Sequence, residues 1–479
     1  MGRDLREEWR IRDQRRRRID VRRIDVRRHP RRVAVCLIRE FEQRFSRWEN
    51  RFTAPCVLSS MLETRVAKPH IREPQRAQGA ITFEMPEDAL PTSHPARLLW
   101  NMLGGFDLTA FSAEVTSAAG DAGRPQLSPR MMLTLWMFAI VEGIGSARRI
   151  ATLTQRDNAY RWIVGNLHVS HDTLSAFRRT RGEALDQLMT DVLATLMHKG
   201  LLSLDVVSQD GTRTRAAASA PSFRTYGSLV QCREQAELHL KAVLAAADDP
   251  EYSRAQHARR EAAAKDYQTR VQAAIETVKQ LQAERGPKET PARASTTDAE
   301  ARVMKMGDGG FRPAFNVQYA VAGSGVGGPR AVVGVQVNNI GSDMGSMTPM
   351  IEQIEQRTGA RPTTLLADGG HAKAEDIVRV ERMGVVVIVP PSEVAKPIEQ
   401  LRREGAAPEL IAWRERMETP EAKEQYRARA SLCELNNAHQ KSHHGIRQFL
   451  VRGVEKVTCV VLMGAIATNL TQFAGALLR

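Results

Sequence analysis

The stretch Ser203-Leu204-Asp205-Val206-Val207-Ser208-Gln209-Asp210-Gly211-Thr212 alternates apolar and polar residues as a β-strand does, and it ends in an Asp-Gly pair that is typical of a turn. It predicts a strand over Ser203 to Asp210, with the Asp210 carboxylate at its end. A second predicted strand, Thr363 to Asp368, runs into Asp368-Gly369-Gly370-His371. Ligands of an open α/β sheet collect beyond such strand ends. Asp210 and Asp368 are therefore candidate residues of one site.

The segments around these two strands predict a mixed α/β sheet. Two strand-like runs, Phe315 to Val321 and Ala331 to Val337, flank a Gly-rich stretch. That stretch, Gly323 to Gly328, lacks the Gly-Lys-Ser/Thr ending of a phosphate-binding loop, so it predicts a hairpin loop. Helices and strands then alternate, namely helix Met347 to Gln356, strand Thr363 to Asp368, helix Ala374 to Met383 and strand Val385 to Pro390. A meander followed by such alternation is typical of a mixed sheet.

Residues 86–202 predict an all-helical domain, because their apolar residues recur at helical spacing. Two short helical stretches within it are basic, Ser146 to Ala151 and Asp172 to Arg181, and the second carries Arg178 and Arg179. Two interpretations are open. The pair of helices binds DNA as a helix-turn-helix does, or it belongs to a helical bundle with a solvated basic face.

A segment rich in Ala, Glu, Gln, Lys and Arg, Ala236 to Glu284, predicts one or two long exposed helices. Its favoured interpretation is a structural spacer or a coiled-coil contact. The secondary-structure pattern therefore divides the chain into a helical domain at 86–202 and an α/β domain at 203–479, which a helical insertion interrupts at about 230–287.

The chain has 479 residues, a net charge of +14 and a pI near 9.9, which favour a polyanionic partner such as nucleic acid. Residues 1–51 hold much of the surplus, with 18 basic against 9 acidic residues. Residues 1–85 predict a disordered basic arm without a globular core. Three interpretations are open: an arm on DNA phosphates, a plain tail, or translated sequence upstream of a start at Met61 or Met85.

No segment offers the roughly 18 uninterrupted apolar residues of a membrane-spanning helix, and Val457 to Ala467 predicts a buried helix. The five cysteines are scattered without a Cys-x-x-Cys pair, a pattern that suggests neither a zinc ribbon nor a disulfide framework. The Arg-rich start has no apolar signal core. We therefore expect a protein of the reducing cytoplasm, associated with the nucleoid when bound to DNA and without a membrane partner.

A third acidic residue, Glu434, lies in a predicted helix from Tyr426 to Lys441. At about 100° per residue, one face of that helix carries four functional side chains within an arc of roughly 140°: Tyr426, Arg429, Glu434 and Lys441. This face presents an acid between two cations, which suits a metal-binding carboxylate beside cations that take up phosphate charge. The alternative is a solvated, salt-bridged surface.

Asp210, Asp368 and Glu434 together are candidate ligands of a divalent metal. Three carboxylates without a histidine cage suit Mg²⁺ or Mn²⁺ better than zinc. Two ions about 3.5 to 4 Å apart would activate the attacking oxygen and stabilise the departing 3′ oxygen of an in-line displacement.

Other polar residues compete for a place in this site. Asp205, five residues before Asp210, is expected to face the opposite side of the strand. Asp343 also follows a strand and is an alternative metal-binding or supporting residue. Three histidines are expected to contact DNA or to pack rather than to bind metal: His371, His443 and His444.

Further motifs follow one another along the chain: Pro129-Arg130-Met131-Met132-Leu133, Arg161-Trp162, Asn166-Leu167, Asp210-Gly211-Thr212, Gly309 to Gln318, Gly341-Ser342-Asp343, Leu365 to Gly370, Tyr426 to Lys441, His443 to Arg447 and Arg452-Gly453. On these residues the chain, from about Pro125 to its C-terminus, resembles the DDE transposases of bacterial insertion sequences. The group it resembles has its third acid in a Tyr-Arg-Glu-Lys signature. Glu434 lies one position further from Arg429 than in the commonest form of that signature. The arm before Met61 has no counterpart in the family.

The resemblance implies a ribonuclease-H-like catalytic domain behind a helical DNA-binding domain. It implies that the three acids bind metal, and that Arg429 and Lys441, with Tyr426, contact DNA near the cleaved phosphate. The expected function is a transposase that binds the terminal inverted repeats of an insertion sequence, cuts them and joins them to target DNA, as a dimer or a larger assembly. Two alternatives are open: a metal-dependent nuclease on the same fold, and a catalytically inactive DNA-binding derivative.

Overall fold

The computed structural model describes residues 85–112, 126–246, 252–285, 290–323, 328–392 and 396–478. The predicted basic arm, apart from Met85, and the middle of the predicted Gly-rich hairpin loop lie outside these ranges. The strands on either side of that loop pair in antiparallel fashion, with Gly323 opposite Arg330, as a hairpin requires.

Helices and strands of the described residues alternate after a run of helices. In chain order the helices are α1 (Pro95–Leu103), α2 (Pro129–Val141), α3 (Ala147–Arg156), α4 (Asn158–Val164), α5 (His171–Arg179), α6 (Gly182–His198), α7 (Tyr226–Ala245), α8 (Arg254–Glu284), α9 (Met347–Thr358), α10 (Ala374–Arg382), α11 (Ile398–Arg403), α12 (Pro408–Glu418), α13 (Pro420–Arg429), α14 (Leu435–Ser442), α15 (Val454–Gln472) and α16 (Ala474–Leu477). The strands are β1 (Val206–Arg215), β2 (Phe223–Arg224), β3 (Ala294–Ser295), β4 (Arg302–Lys305), β5 (Phe311–Gly323), β6 (Arg330–Asn338), β7 (Thr364–Leu366) and β8 (Val386–Ile388).

The helical region, α1 to α6, contains both predicted basic helices. Helix α5 begins at His171 because the Ser170 side chain accepts a hydrogen bond from the backbone N–H of Thr173. The Ser146 side chain caps α3 in the same way, by accepting from Arg149. Helices α3 and α5 pack against each other, although α4 lies between them in sequence. The predicted pair of helices therefore forms, with an additional helix in its connection.

Six strands form one mixed sheet. Strand β5 pairs antiparallel with β1, β4 and β6, whereas β1 pairs parallel with β7, and β7 parallel with β8. Helix α9 lies between β6 and β7 in the chain, and α10 between β7 and β8. The prediction of a mixed sheet with a meander followed by alternating helices and strands is confirmed.

Strand β1 is longer than predicted, and this corrects the position of Asp210. The strand continues through the Asp-Gly pair to Arg215, because Asp210 and Gly211 pair with Tyr319 and Gln318 of β5. The glycine serves close packing rather than a turn: a Cβ on Gly211 would overlap the side chains of Gln318 and Asp343. Asp210 thus lies inside a strand on its β5 side. On the other side, pairing with β7 ends two residues earlier, at Ser208, so Asp210 lies beyond the end of β7.

The predicted insertion consists of two helices, α7 and α8, which pack against each other. Ser253 starts α8 with a capping box shared with Gln256. The pair has a small core of its own, which includes Leu229, Val271 and Ile275, and the short strands β2 and β3 pair at its base. The insertion therefore starts a few residues earlier than predicted, at Tyr226.

Helix α15 joins the helical region to the sheet. It packs against α2, α6 and β6, and most of its residues are buried. The Asn469 side chain accepts from the backbone N–H of Val332 in β6 at 2.7 Å and donates to its carbonyl at 2.9 Å. One hydrophobic core extends from Ala96 to Phe473. The helical region before residue 202 and the α/β region after it therefore share one hydrophobic core.

Helix α15 is also the one helix of the described residues that is long and apolar enough to cross a membrane. In this structure 67% of its apolar window is buried. The prediction that Val457 to Ala467 forms a buried helix is therefore confirmed.

Candidate active site

The three candidate acids approach a single guanidinium group, that of Arg429. Its Nη2 lies 3.2 Å from Oδ1 of Asp210 and 3.9 Å from Oδ2 of Asp368. Its Nη1 donates to Oε1 of Glu434 at 2.7 Å. Asp210 comes from β1, Asp368 follows β7, and Glu434 follows α13, so three segments that are distant in sequence supply the cluster.

The helix that carries Arg429 and Glu434 is interrupted, although we predicted a continuous one. Between α13 and α14, residues Ala430–Glu434 form a π-helical segment. A π-helix bonds residues five apart, and Arg429 and Glu434 are five apart. The irregular turn therefore lets the two side chains meet despite the additional residue between them. Cys433 within it is buried and donates its Sγ–H to the carbonyl of Ser208 in β1, at 2.7 Å.

Asp210 is the most enclosed of the three acids. Burial raises the pKa of its carboxyl group, whereas the charge of Arg429 opposes that rise. Asn437 donates to its Oδ2 at 2.9 Å. Burial lowers the pKa of Lys441, and the charge of Asp210 opposes that shift.

Asp368 lies two residues beyond the end of β7, whereas the predicted strand continued to Asp368, and it caps a short 3₁₀ helix, Gly369–His371. Its Oδ1 faces Nδ1 of His371 at 2.6 Å and accepts from the backbone N–H of Gly370 at 3.0 Å. The hydrogen bond from His371 lowers the pKa of the Asp368 carboxyl group despite its partial burial. One oxygen is thereby occupied, and the other faces Arg429.

Asp343 lies next to this cluster but is engaged elsewhere. It is buried, and it accepts hydrogen bonds from Arg213, Asn316 and Gln318. Gln318 also lies 3.2 Å from Nε2 of His371. Asp343 is thus bonded to side chains beside the cluster and not to Arg429, and both of its predicted roles stay predictions. Asp205 is exposed and accepts from Ser203, outside the cluster.

The cluster suits a divalent cation by its charge and by its donor atoms. Three carboxylates share one guanidinium, so negative charge is in excess around Arg429, and carboxylate oxygens are the ligands that Mg²⁺ and Mn²⁺ prefer. Among the described residues, no group of three or more His, Cys, Asp or Glu side chains is arranged to hold a metal ion as it stands. Arg429 lies between the acids, so their convergence on a metal requires its side chain to move aside.

The other predicted DNA-binding residues divide into two groups. Tyr426 lies at the cluster, with its ring 6.0 Å from the guanidinium carbon of Arg429, and Lys441 interacts electrostatically with Asp210. Arg179 is exposed in the last turn of α5. Arg178 is only 6% exposed, packs 4.6 Å over the ring of Trp136 and donates to the carbonyl of Gly145 at 2.6 Å. Burial lowers its pKa to about 10. This structure therefore does not support Arg178 as a DNA contact.

Three histidines in α14 and directly after it pack against one another. The ring of His439 lies 5.0 Å from that of His443 and 4.5 Å from that of His444. Burial lowers the pKa of His444 to about 3. His444 is buried and thus follows the packing alternative, whereas His443 is exposed and stacks on His439. His371 packs as well, but against a candidate catalytic acid.

Sequence reasoning missed several polar residues of the cluster. Asn437 contacts Asp210, and its spacing of three residues from Glu434 on a helix was a usable signal. Asn316 and Gln318 lie in one of the motifs that carry the resemblance, but neither they nor Arg213 could be linked to the acids from the sequence, because their partners are distant in sequence.

Two family models match the chain. Residues 84–180 match a model described as a transposase domain (DUF772), and residues 399–474 match a transposase DDE domain. The second match contains Arg429, Glu434 and Lys441, whereas Asp210 and Asp368 lie outside both matches. No curated protein and no solved structure matches the chain. Together the two family matches support a DDE-type transposase, and the mixed α/β fold is consistent with that class.

Proposed function

We propose that this protein is the transposase of an insertion sequence: it binds the terminal inverted repeats of the element, cuts the DNA there and joins the ends to target DNA. The observation that carries the proposal is the convergence of Asp210, Asp368 and Glu434 on one guanidinium. The two transposase family matches supply the reaction class. We assign the chain to the group with the Tyr-Arg-Glu-Lys signature, through Tyr426, Arg429, Glu434 and Lys441.

We also propose that residues 203–479 form a ribonuclease-H-like catalytic domain. The order of the strands supports this: β6, β5 and β1 form an antiparallel meander, and β7 and β8 continue the sheet parallel to β1. In chain order β1 is the first and β7 the fourth of these five strands; the first acid lies on β1 and the second acid follows β7. These two strands are neighbours, which explains how both carboxylates reach one cleft.

The proposed ligands of Mg²⁺ or Mn²⁺ are Asp210, Asp368 and Glu434, and we propose that the site binds two ions. When bound, such ions would activate the attacking oxygen and stabilise the departing 3′ oxygen. Arg429 is the residue that must change partners. Its guanidinium offsets part of the negative charge of the acids in the free protein, and a DNA phosphate is its proposed second partner, since guanidinium groups bind carboxylates and phosphates in the same geometry.

The remaining cations are proposed to hold DNA beside the acids. Lys441, whose charge interacts with that of Asp210, would take up charge of a phosphate close to the cleaved bond. Arg179, at the exposed end of α5, would contact the backbone of the terminal repeat, within a helical DNA-binding region at 86–202. Because two ends of an element must be joined together, the proposed active form is a dimer or a larger assembly.

The reaction itself is tested by strand transfer. The full-length protein is incubated with Mn²⁺, a labelled duplex of the element's end and a supercoiled target plasmid, and the expected product is label joined covalently to the plasmid. Asp210→Asn, Asp368→Asn and Glu434→Gln are each expected to lose joining while they retain binding to the end duplex. Cleavage without joined product would assign a nuclease instead. Binding without cleavage by the parent would assign a non-catalytic DNA-binding protein.

A further inference from the structure

A buried chain of hydrogen bonds leads from Asp343 to the second candidate acid, Asp368. Asp343 is 6% exposed. Its Oδ1 accepts from Asn316 at 2.7 Å and from Gln318 at 2.6 Å, and its Oδ2 accepts from Arg213 at 2.8 Å. A buried carboxylate with three donors, one of them cationic, is a firm anchor.

This anchor fixes the orientation of Gln318. An ionised carboxylate only accepts, so the amide nitrogen of Gln318 must face Asp343 and its amide oxygen must face the other way. That oxygen lies 3.2 Å from Nε2 of His371, whose side chain is completely buried. Both ring nitrogens of His371 therefore face acceptor oxygens, that of Gln318 on one side and Oδ1 of Asp368 on the other.

At its far end, this series of hydrogen bonds determines which carboxylate oxygen of Asp368 faces the candidate metal site. His371 and the backbone N–H of Gly370 both bind Oδ1, so Oδ2 is left to face Arg429. Without His371, the backbone N–H alone would hold a carboxylate that is 37% exposed. The network also packs directly under the strand of Asp210, since Gln318 and Asp343 fill the space where a Cβ of Gly211 would lie.

We propose that Asp343 is a positioning residue of the metal site, which orients the Asp368 carboxylate through Gln318 and His371. This inference rests on the proposed function, because it takes Asp368 to be a metal ligand. Partners that orient a metal ligand typically change metal affinity by about 10- to 100-fold when they are removed. Asp343 thus contributes to metal affinity without contacting the metal.

The test measures Mn²⁺ binding by the full-length protein, from the loss of the electron paramagnetic resonance signal of free Mn²⁺. His371→Ala is expected to weaken binding about tenfold or more, and Asp343→Asn severalfold. The double variant is expected to bind no more weakly than His371→Ala alone, because Asp343 acts through His371.

The control is Asp298→Asn: Asp298 is as buried as Asp343 (4% exposed) and accepts from the backbone N–H of Gly453, outside the network. It is expected to lower thermal stability and to leave Mn²⁺ affinity unchanged.

Two results would overturn the inference. Asp343→Asn could bind Mn²⁺ as the parent does, or its effect could add fully to that of His371→Ala. Should Asp343→Asn fail to show a cooperative melting transition, Gln318→Met is the second variant. It interrupts the same series of hydrogen bonds between Asp343 and His371, and it is expected to give the same severalfold loss of Mn²⁺ affinity. A different result would count against the proposed function itself. In that case the parent would bind no Mn²⁺, or Asp210→Asn would bind Mn²⁺ as well as the parent does.

Discussion

Replacing Arg429 with Met tests how the three acids are held together in the free protein. The side chain of Arg429 is 12% exposed and that of Asp210 is 14% exposed, whereas Asp368 and Glu434 are 37% and 53% exposed. Met fills a similar volume but supplies no charge. The substitution therefore leaves one nearly buried carboxylate and two partly solvated ones without their common counter-ion.

The expected destabilisation follows from these exposures. Removing one partner of a buried ion pair costs about 3–5 kcal/mol, whereas an exposed pair contributes about 0–1 kcal/mol. Since Asp210 is nearly but not fully buried, we expect Arg429→Met to lower the free energy of unfolding at pH 7.5 by about 3–4 kcal/mol. The control is Arg427→Met on the same helix, where Arg427 pairs with Glu424 and both side chains are more than 70% exposed. Its cost is expected to stay below about 1 kcal/mol.

The stability deficit of Arg429→Met is expected to depend on pH, and the pKa of Asp210 determines in which direction. Burial already raises the pKa of Asp210, and the charge of Arg429 limits that rise. Without Arg429 the pKa rises further, so the folded state takes up a proton at a pH where the unfolded chain is still ionised. The stability deficit of Arg429→Met is therefore expected to shrink between pH 7.5 and pH 4, while that of Arg427→Met stays small throughout. Urea unfolding followed by circular dichroism measures both. A deficit independent of pH, or equal to that of the control, would refute the electrostatic explanation.

Three further outcomes are expected. Mn²⁺ should raise the melting temperature of Arg429→Met more than that of the parent, because the guanidinium no longer competes for the acids; an equal rise would contradict this. Arg178→Ala should lower the free energy of unfolding by about 2–4 kcal/mol and leave the salt dependence of DNA binding unchanged. Arg179→Ala should leave stability unchanged and reduce the slope of log K for DNA binding against log salt concentration by about 1. Gly211→Ala should destabilise the protein by about 1–3 kcal/mol, because its methyl group meets two packed side chains, whereas Gly227→Ala, with no atom within 4 Å, should be neutral or slightly stabilising in chemical unfolding.

Local patterns in the sequence were sufficient for the features that depend on neighbouring residues. The strand that precedes Asp368, the basic helix α5 and the burial of α15 each follow from periodicity and composition. The alternation after β6 gave the mixed sheet in the same way. These elements carry their own signals, because the atoms that determine them lie within a few residues.

Other features depend on partners that are distant in sequence, and there the local patterns failed. Asp210 and Gly211 resemble a turn in composition, but pairing with β5, more than 100 residues later in the chain, keeps them in a strand. The burial of Arg178 depends on Trp136, on a different helix. The turn between Arg429 and Glu434 is a third case: a regular 100° period cannot describe a π-helical segment, which tertiary contacts such as that of Cys433 with Ser208 help to hold.

Anomalous diffraction from crystals grown with Mn²⁺ tests the metal site most directly. The expected result is a manganese peak within bonding distance, about 2.0–2.3 Å, of carboxylate oxygens from Asp210, Asp368 and Glu434, with the Arg429 side chain moved away from the position it holds between them. Manganese bound elsewhere, or three acids still closed around Arg429 at saturating Mn²⁺, would contradict the assignment of these residues as metal ligands.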